Sequence, residues 1–218
     1  MTLRFAEEIM LLLLDDEEGR FLRVPDGSMR YALGGAVLMD LALEDRIDTD
    51  LEKLILVDST PVDDDLLDPV LAEIAQEEGT HNARFWVERA AGRAGEIREA
   101  AVNRLVERGI LERTEDRFLW VFRSRRYPVV DGTAEQEVKL RIMELLFSEM
   151  IPTPRDVVII CLADACGLFS ELLSRRELQN VMPRIRFLRK MDLIGRAVTD
   201  AVWDIEVSLA QAIRPYFG

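Results

Sequence analysis

The chain has 218 residues, 49% of them apolar, with 41 acidic and 28 basic side chains and a formal charge of −13. That length buries a substantial core, and the apolar content excludes an intrinsically disordered acidic chain. Two cysteines exclude a disulfide framework, one histidine excludes a multi-histidine zinc site, and the net charge speaks against general nucleic-acid binding.

Taken in chain order, the pattern predicts mostly helix. Thr2 is expected to cap a helix over 2–14, stopped by the polar run 15–19. Residues 21–24 read as a short strand, and Pro25, Asp26 and Gly27 as a turn. Gly34 and Gly35 then open an apolar helix over 36–43. Two short strands, 46–50 and 54–57, precede an acidic loop over 58–65. Helices are expected over 66–74, 82–91 and 96–108, the last closed by Gly109. Strands 110–113 and 118–122 should pair as a hairpin. Helices follow over 134–149, 155–166, around 184–191 and over 198–216, with breaks at Pro152, Pro154, Pro183 and Gly195. The fold class is therefore mainly α: one compact domain over 1–218 with short β-hairpins. Twice an apolar helix runs straight into a hairpin, as in a winged-helix module.

The longest apolar stretches, 9–14 and 157–168, are shorter than the ~20 residues of a spanning helix. Arg4, Glu7 and Glu8 stand where a secretory leader would be apolar, so a cytoplasmic protein is expected. No phosphate-binding glycine loop, dinucleotide fingerprint or nucleophile elbow occurs. Cys161 and Cys166 fall inside an apolar helix and read as core. His81 reads as an exposed or capping loop residue. Asp58, Asp63, Asp64, Asp65 and Asp68 lack the spacing of a calcium loop and read as solvated or helix-capping acids. No metal, cofactor or enzymatic activity is expected.

The charge is unevenly spread. Residues 1–80 carry a net −15, residues 81–126 a net +4 and residues 127–218 a net −2. All eleven bases of the middle block are arginine, whose planar fork suits phosphate and carboxylate. On a helical wheel of 96–108, Arg98 falls in the middle of the arc made by Ile97, Ala101, Val102, Leu105 and Val106. An arginine there needs a partner, either an ion pair or a bound anion. Arg104, Arg108, Arg113 and Arg117 surround the second helix–hairpin unit and carry the alternative reading, a nucleic-acid or protein-interaction module.

Four segments, 5–19 (FAEEIMLLLLDDEEG), 33–47 (LGGAVLMDLALEDRI), 60–68 (TPVDDDLLD) and 98–111 (REAAVNRLVERGIL), occur in the order seen in a known family. Weaker matches follow at Tyr127, Pro128 and 155–166. On these the chain resembles the Golgi phosphoprotein three family, in the form of its shorter bacterial relatives. The resemblance implies a mainly helical, non-enzymatic peripheral membrane adaptor. It implies phosphatidylinositol 4-phosphate as the anionic lipid headgroup, a membrane surface and client membrane proteins as partners, and no nucleic acid. Of the family's headgroup ligands, the last arginine matches Arg98. The others match Gly95, Gly34 and a position near Val24. Arg23, Arg30 and Arg93 stand nearby as substitutes.

Overall fold

The computed structural model describes residues 2–15, 21–22, 24–50, 52–116, 124–126, 129–130, 132–190 and 200. The first helix, α1 (Phe5–Leu12), is buried on every side, its two glutamates included. It starts three residues later than expected, with the Arg4 backbone N–H donating to the Glu7 carboxylate at 2.7 Å. It ends before Leu14 because that residue leaves to bridge Phe21. The strand expected over 21–24 is reduced to this bridge.

Helix α2 (Asp26–Leu43) corrects the sequence reading most. The expected turn at Pro25–Gly27 is its first turn, and the glycine pair lies mid-helix. Proline directly before a helix is pre-set for helical entry and sacrifices no bond there. Gly34 stays because a neighbouring helix needs the space: a Cβ on it would sit 2.7 Å from the Ala91 backbone nitrogen. The helix feeds a hairpin, β1 (Ile47–Thr49) with β2 (Leu54–Leu56), pairing Ile47 with Leu56 as two antiparallel strands.

Three helices follow: α3 (Asp68–Gln76), α4 (Ala83–Ala91) and α5 (Ala94–Glu107). Asn82 caps α4 by accepting from the Phe85 N–H at 3.0 Å. Gly109 closes α5 at φ 69°, a left-handed conformation that glycine adopts without strain. The Ile110 and Leu111 N–H groups both donate back to the Leu105 carbonyl. That turn, with the bridge from Leu111 to Val129, displaces the second hairpin from its expected start at 110. It forms instead from β3 (Thr114–Asp116) and β4 (Ser124–Arg126). The strand expected over 118–122 lies outside the described residues.

The last described helices are α6 (Gly132–Phe147), α7 (Pro154–Ala165), α8 (Leu168–Leu172) and α9 (Arg175–Arg189). Thr153 and Asp156 cap α7 reciprocally, and Ser174 and Glu177 do the same for α9. Pro183, expected as a break, lies inside α9. Buried Val181, Ile185 and Leu188 hold the helix on both sides of it. Gly195 and 201–216 lie outside the described residues. Helix α2 runs through the middle, packed by α1, α4, α5 and α7. The fold is mainly helical with short hairpins, as expected. Among the described residues no helix is long and apolar enough to cross a membrane.

Candidate anion-binding site at the junction of α4 and α5

The end of α4, the short link to α5 and the start of α2 bring three of the sequence-predicted arginines to one region. Arg30, in the first turns of α2, is exposed and donates through Nε to the Ala91 carbonyl at 3.3 Å. That carbonyl belongs to the last turn of α4, the negative end of its dipole. Gly34, one turn further along α2, faces the same place, so the missing side chain is what lets α4 approach. Arg93, in the link, pairs with Glu73 at 2.6 Å and Glu96 at 2.7 Å, so its charge is already answered. Arg23 lies outside the described residues.

Arg98 departs from its expected position. The buried stripe of α5 is Ala94, Ile97, Ala101, Val102 and Leu105, while Arg98 is exposed. A wheel discards position along the axis: Val102 and Leu105 lie one to two turns deeper, where other helices cover the arc. At the level of Arg98 the cover is Phe21, and the guanidinium carbon stands 4.9 Å from that ring's centroid. A long side chain on an aromatic face keeps its stem dry and its charge in water. Among the described residues Arg98 has no carboxylate partner. Its neighbours in the arginine block do: Arg84 pairs with Glu88 at 2.9 Å, and Arg89 with Glu77 at 2.8 Å.

A second polar cluster, missed by the sequence reading, lies beneath the surface. Glu7, Glu8, Asp40, Asp64 and Asp156 are all buried, and Arg4, Arg104, Arg108, Arg141 and Arg155 answer them. Asp64 joins Arg104 at 2.7 Å to Arg4 at 2.8 Å, tying the acidic loop to α1 and α5. Burial alone would raise its pKa, but the two arginine hydrogen bonds and the Leu66 N–H overcome this and hold it below the usual carboxylate range. The signal was present in the sequence: acids inside apolar helices, Glu7 and Glu8 in α1 and Asp40 in α2, must find partners. Arg104 and Arg108 are therefore committed to Asp64 and Glu7, which removes them from the nucleic-acid reading. Arg117 lies outside the described residues.

Burial pushes Asp40 up to about 7, against the Phe5 N–H at 2.8 Å and the more distant Arg4 and Arg155. A folded-state pKa above the unfolded value means that the native state holds the proton more tightly. The resulting stabilisation is complete below the unfolded pKa and is lost as pH rises through about 7. Asp40→Asn, which keeps an oxygen for the Phe5 N–H, should therefore gain on the natural protein between about pH 5 and pH 8. Urea midpoints of both proteins at the two pH values check this, and a gap independent of pH would refute it.

The remaining candidates have structural roles. Asp68 accepts from the Val62 and Asp64 N–H groups, and Asp58 pairs with Arg46 at 3.2 Å. Among the described residues no group of three acids, histidines or cysteines is placed to hold a metal. His81 stacks on Phe85 with ring centroids 3.7 Å apart and meets Glu77 at 3.4 Å. Cys161 and Cys166 are buried and outside any disulfide, and burial pushes Cys166 up to about 12.

Comparison with known proteins places this architecture. The family model described as Golgi phosphoprotein 3 (GPP34) matches residues 5–205, from the first residue of α1 through the arginine junction and beyond. The chain belongs to the Golgi phosphoprotein 3 family. Vacuolar protein sorting-associated protein 74 of Eremothecium gossypii is 28% identical over 208 residues, covering 79% of this chain and 62% of that protein. The protein of the same name from Schizosaccharomyces pombe is 27% identical over 170 residues, covering 68% of this chain and 50% of that protein. This Golgi phosphoprotein 3 family member thus spans half to three fifths of the length of these curated relatives. The family match contains Arg30, Arg93 and Arg98, and all of the buried cluster except Arg4.

Proposed function

We propose that this chain is a non-enzymatic peripheral membrane adaptor that binds an anionic lipid headgroup at the α4–α5 junction. The headgroup is that of phosphatidylinositol 4-phosphate by family resemblance, and client membrane proteins are the further partners. One observation carries the reading: Arg98 is exposed, braced on Phe21 and without a carboxylate among the described residues, while Arg84, Arg89, Arg93, Arg104 and Arg108 of the same block face acids. Arg30 supplies the second charge. The family arginine that aligns with Gly34 has no room there, since a Cβ would meet the backbone of α4. Arg30, one turn earlier on the same face of α2, reaches the same place. The arginine that aligns with Gly95 is absent, and the space for it is open: nothing lies within 4 Å of a Cβ at that position.

Co-sedimentation with vesicles, with and without phosphatidylinositol 4-phosphate, tests this. Arg98→Ala should weaken association with the anionic vesicles about fivefold, as expected for one charge near such a surface. Gly95→Arg places a second guanidinium three residues before Arg98 on the same helix face and should strengthen association about as much. Both effects should shrink as salt rises. Equal, negligible association with both vesicle types, unchanged by Arg98→Ala, overturns the proposal.

A further inference from the structure

Among the described residues ten large apolar side chains are exposed, and nine of them fall into two groups. The first is Leu43, at the end of α2, with Ile55, Leu56 and Val57 in and just after β2. The Val57 N–H donates to the Arg46 carbonyl at 2.9 Å, which folds β2 back toward Leu43. The second group is Leu140 and Phe147 on α6, Met150 and Ile151 in the loop after it, and Phe187 on α9. Leu140 and Phe147 are seven residues apart and share a face of α6. Arg184 donates to the Met150 carbonyl and so ties the loop to α9, one turn from Phe187. Ile151 is 93% exposed. Single exposed apolar side chains need no explanation, but those gathered into patches mark interaction surfaces.

The two patches carry opposite charge. Residues 43–58 hold six acids and two bases, and Asp45, Asp48, Asp50 and Glu52 are exposed around the first patch. Residues 175–190 hold six bases and one acid. Arg175, Arg176 and Arg186 are exposed there, and none of the three has a carboxylate partner among the described residues. Glu144 and Glu149 are exposed on the α6 side, so the positive charge of the second patch belongs to α9. Strand β1 packs on α2, α9 packs on α7, and α2 and α7 pack on each other, so two helices separate the patches. They do not cover each other within one copy. Each fits the other on a neighbouring copy, apolar against apolar and arginine against carboxylate.

We propose that a second copy of this chain docks here, with the acidic hairpin patch of one protomer on the basic α6–α9 patch of the next. A contact between two different patches leaves one of each kind unused at the ends of a pair, so copies add head to tail. A consequence rests on the headgroup site proposed above: linked copies would hold a membrane through several weak sites at once.

Sedimentation velocity of the full chain without lipid tests the docking, so its failure is separate from a failure of the headgroup reading. The weight-average mass should rise with concentration over roughly 1–100 μM. The rise should shrink when ionic strength goes from about 0.1 M to about 1 M, which shortens the screening length from about 10 Å to about 3 Å. Val57→Arg and Ile151→Asp each set a like charge against the opposing patch. Both positions are exposed, so both variants should melt like the natural protein. Each alone should weaken self-association at least about tenfold. Mixed in equal amounts they should form a one-to-one pair, because Ile151→Asp keeps the acidic patch and Val57→Arg the basic one. Monomer mass at every concentration overturns the proposal, and so does self-association that either variant leaves intact or that the mixture fails to restore.

Discussion

Replacing Asp64 by alanine should destabilise the protein by about 3 kcal/mol, the expected loss when one partner of a buried ion pair is removed. Asp64 is almost fully buried, with 6% of its side chain exposed, and it serves two guanidinium groups at once. Without it Arg4 retains Glu44 at 2.5 Å, and Arg104 retains Asp65 at 3.1 Å, both nearer the surface. The Leu66 N–H, held at 3.0 Å by Asp64 Oδ1, loses its acceptor as well. Asn keeps that acceptor without the charge, so Asp64→Asn should lose less than Asp64→Ala. The pH dependence separates this from mere loss of volume. A depressed carboxylate stabilises above its unfolded pKa and loses that contribution as pH falls through the lower folded value. The gap between the natural protein and Asp64→Ala should therefore narrow in acid, below about pH 4. Urea denaturation at neutral and acid pH reads both effects, and a gap under about 1 kcal/mol at neutral pH would show that the acidic loop is not tied down through this residue.

That result would also assign the uneven charge of the chain. The acids of residues 1–80 look like a solvating surface in the sequence, and many are: Asp48, Asp50 and Asp63 are exposed. Others hold the molecule together from inside. Glu7 is fully buried, and burial raises its pKa against the pull of Arg104 and Arg108. An excess of acid in one segment and of arginine in another thus becomes, in three dimensions, a set of pairs across α1, α2, α5 and α7. Among the described residues of the arginine block, Arg98 stands at the surface without a carboxylate partner.

Local rules made some ends legible: α4 starts at Asn82, where a helix was expected to begin, and Gly109 closes α5 as expected. The start of α9 was not: its helix was expected only around 184–191 and begins at 175, after the Ser174 cap. The β1–β2 hairpin was legible because two short runs containing apolar and branched residues flank a polar turn. The start of α2 was not, because Gly34 and Gly35 look like a helix breaker until α4 is seen lying against them. Arg98 was picked out as a candidate from its neighbours on the wheel, yet its exposure depends on which helices cover the first turns of α5, a tertiary fact. The pairing around Asp64 was illegible for the same reason: its ion pairs join residues 40 and 60 positions apart.

The glycines give the strongest test of that tertiary reading, because one substitution should have opposite signs at two helical positions. In an exposed helix interior, alanine for glycine stabilises by about 0.5–1 kcal/mol. Gly95, in the first turn of α5, is open around its Cβ direction, so Gly95→Ala should raise stability by up to that amount. Gly34→Ala should lower it by about 2 kcal/mol, since the added carbon overpacks a filled contact. Its Cβ would stand 2.7 Å from the Ala91 nitrogen, 3.0 Å from the Ala90 carbonyl carbon and 3.1 Å from the Val87 oxygen, all of them backbone atoms. Backbone cannot rotate aside, so α4 must move as a unit away from α2. That displacement carries the Ala91 carbonyl away from Arg30 and opens the proposed headgroup site from below. Gly34→Ala should therefore also weaken association with anionic vesicles, although position 34 is buried and carries no charge. Parallel urea curves and vesicle binding for the two variants decide the matter. A stabilising Gly34→Ala would mean that α2 and α4 do not meet as closely as the structure has them, and Arg30 would lose its claim to the site.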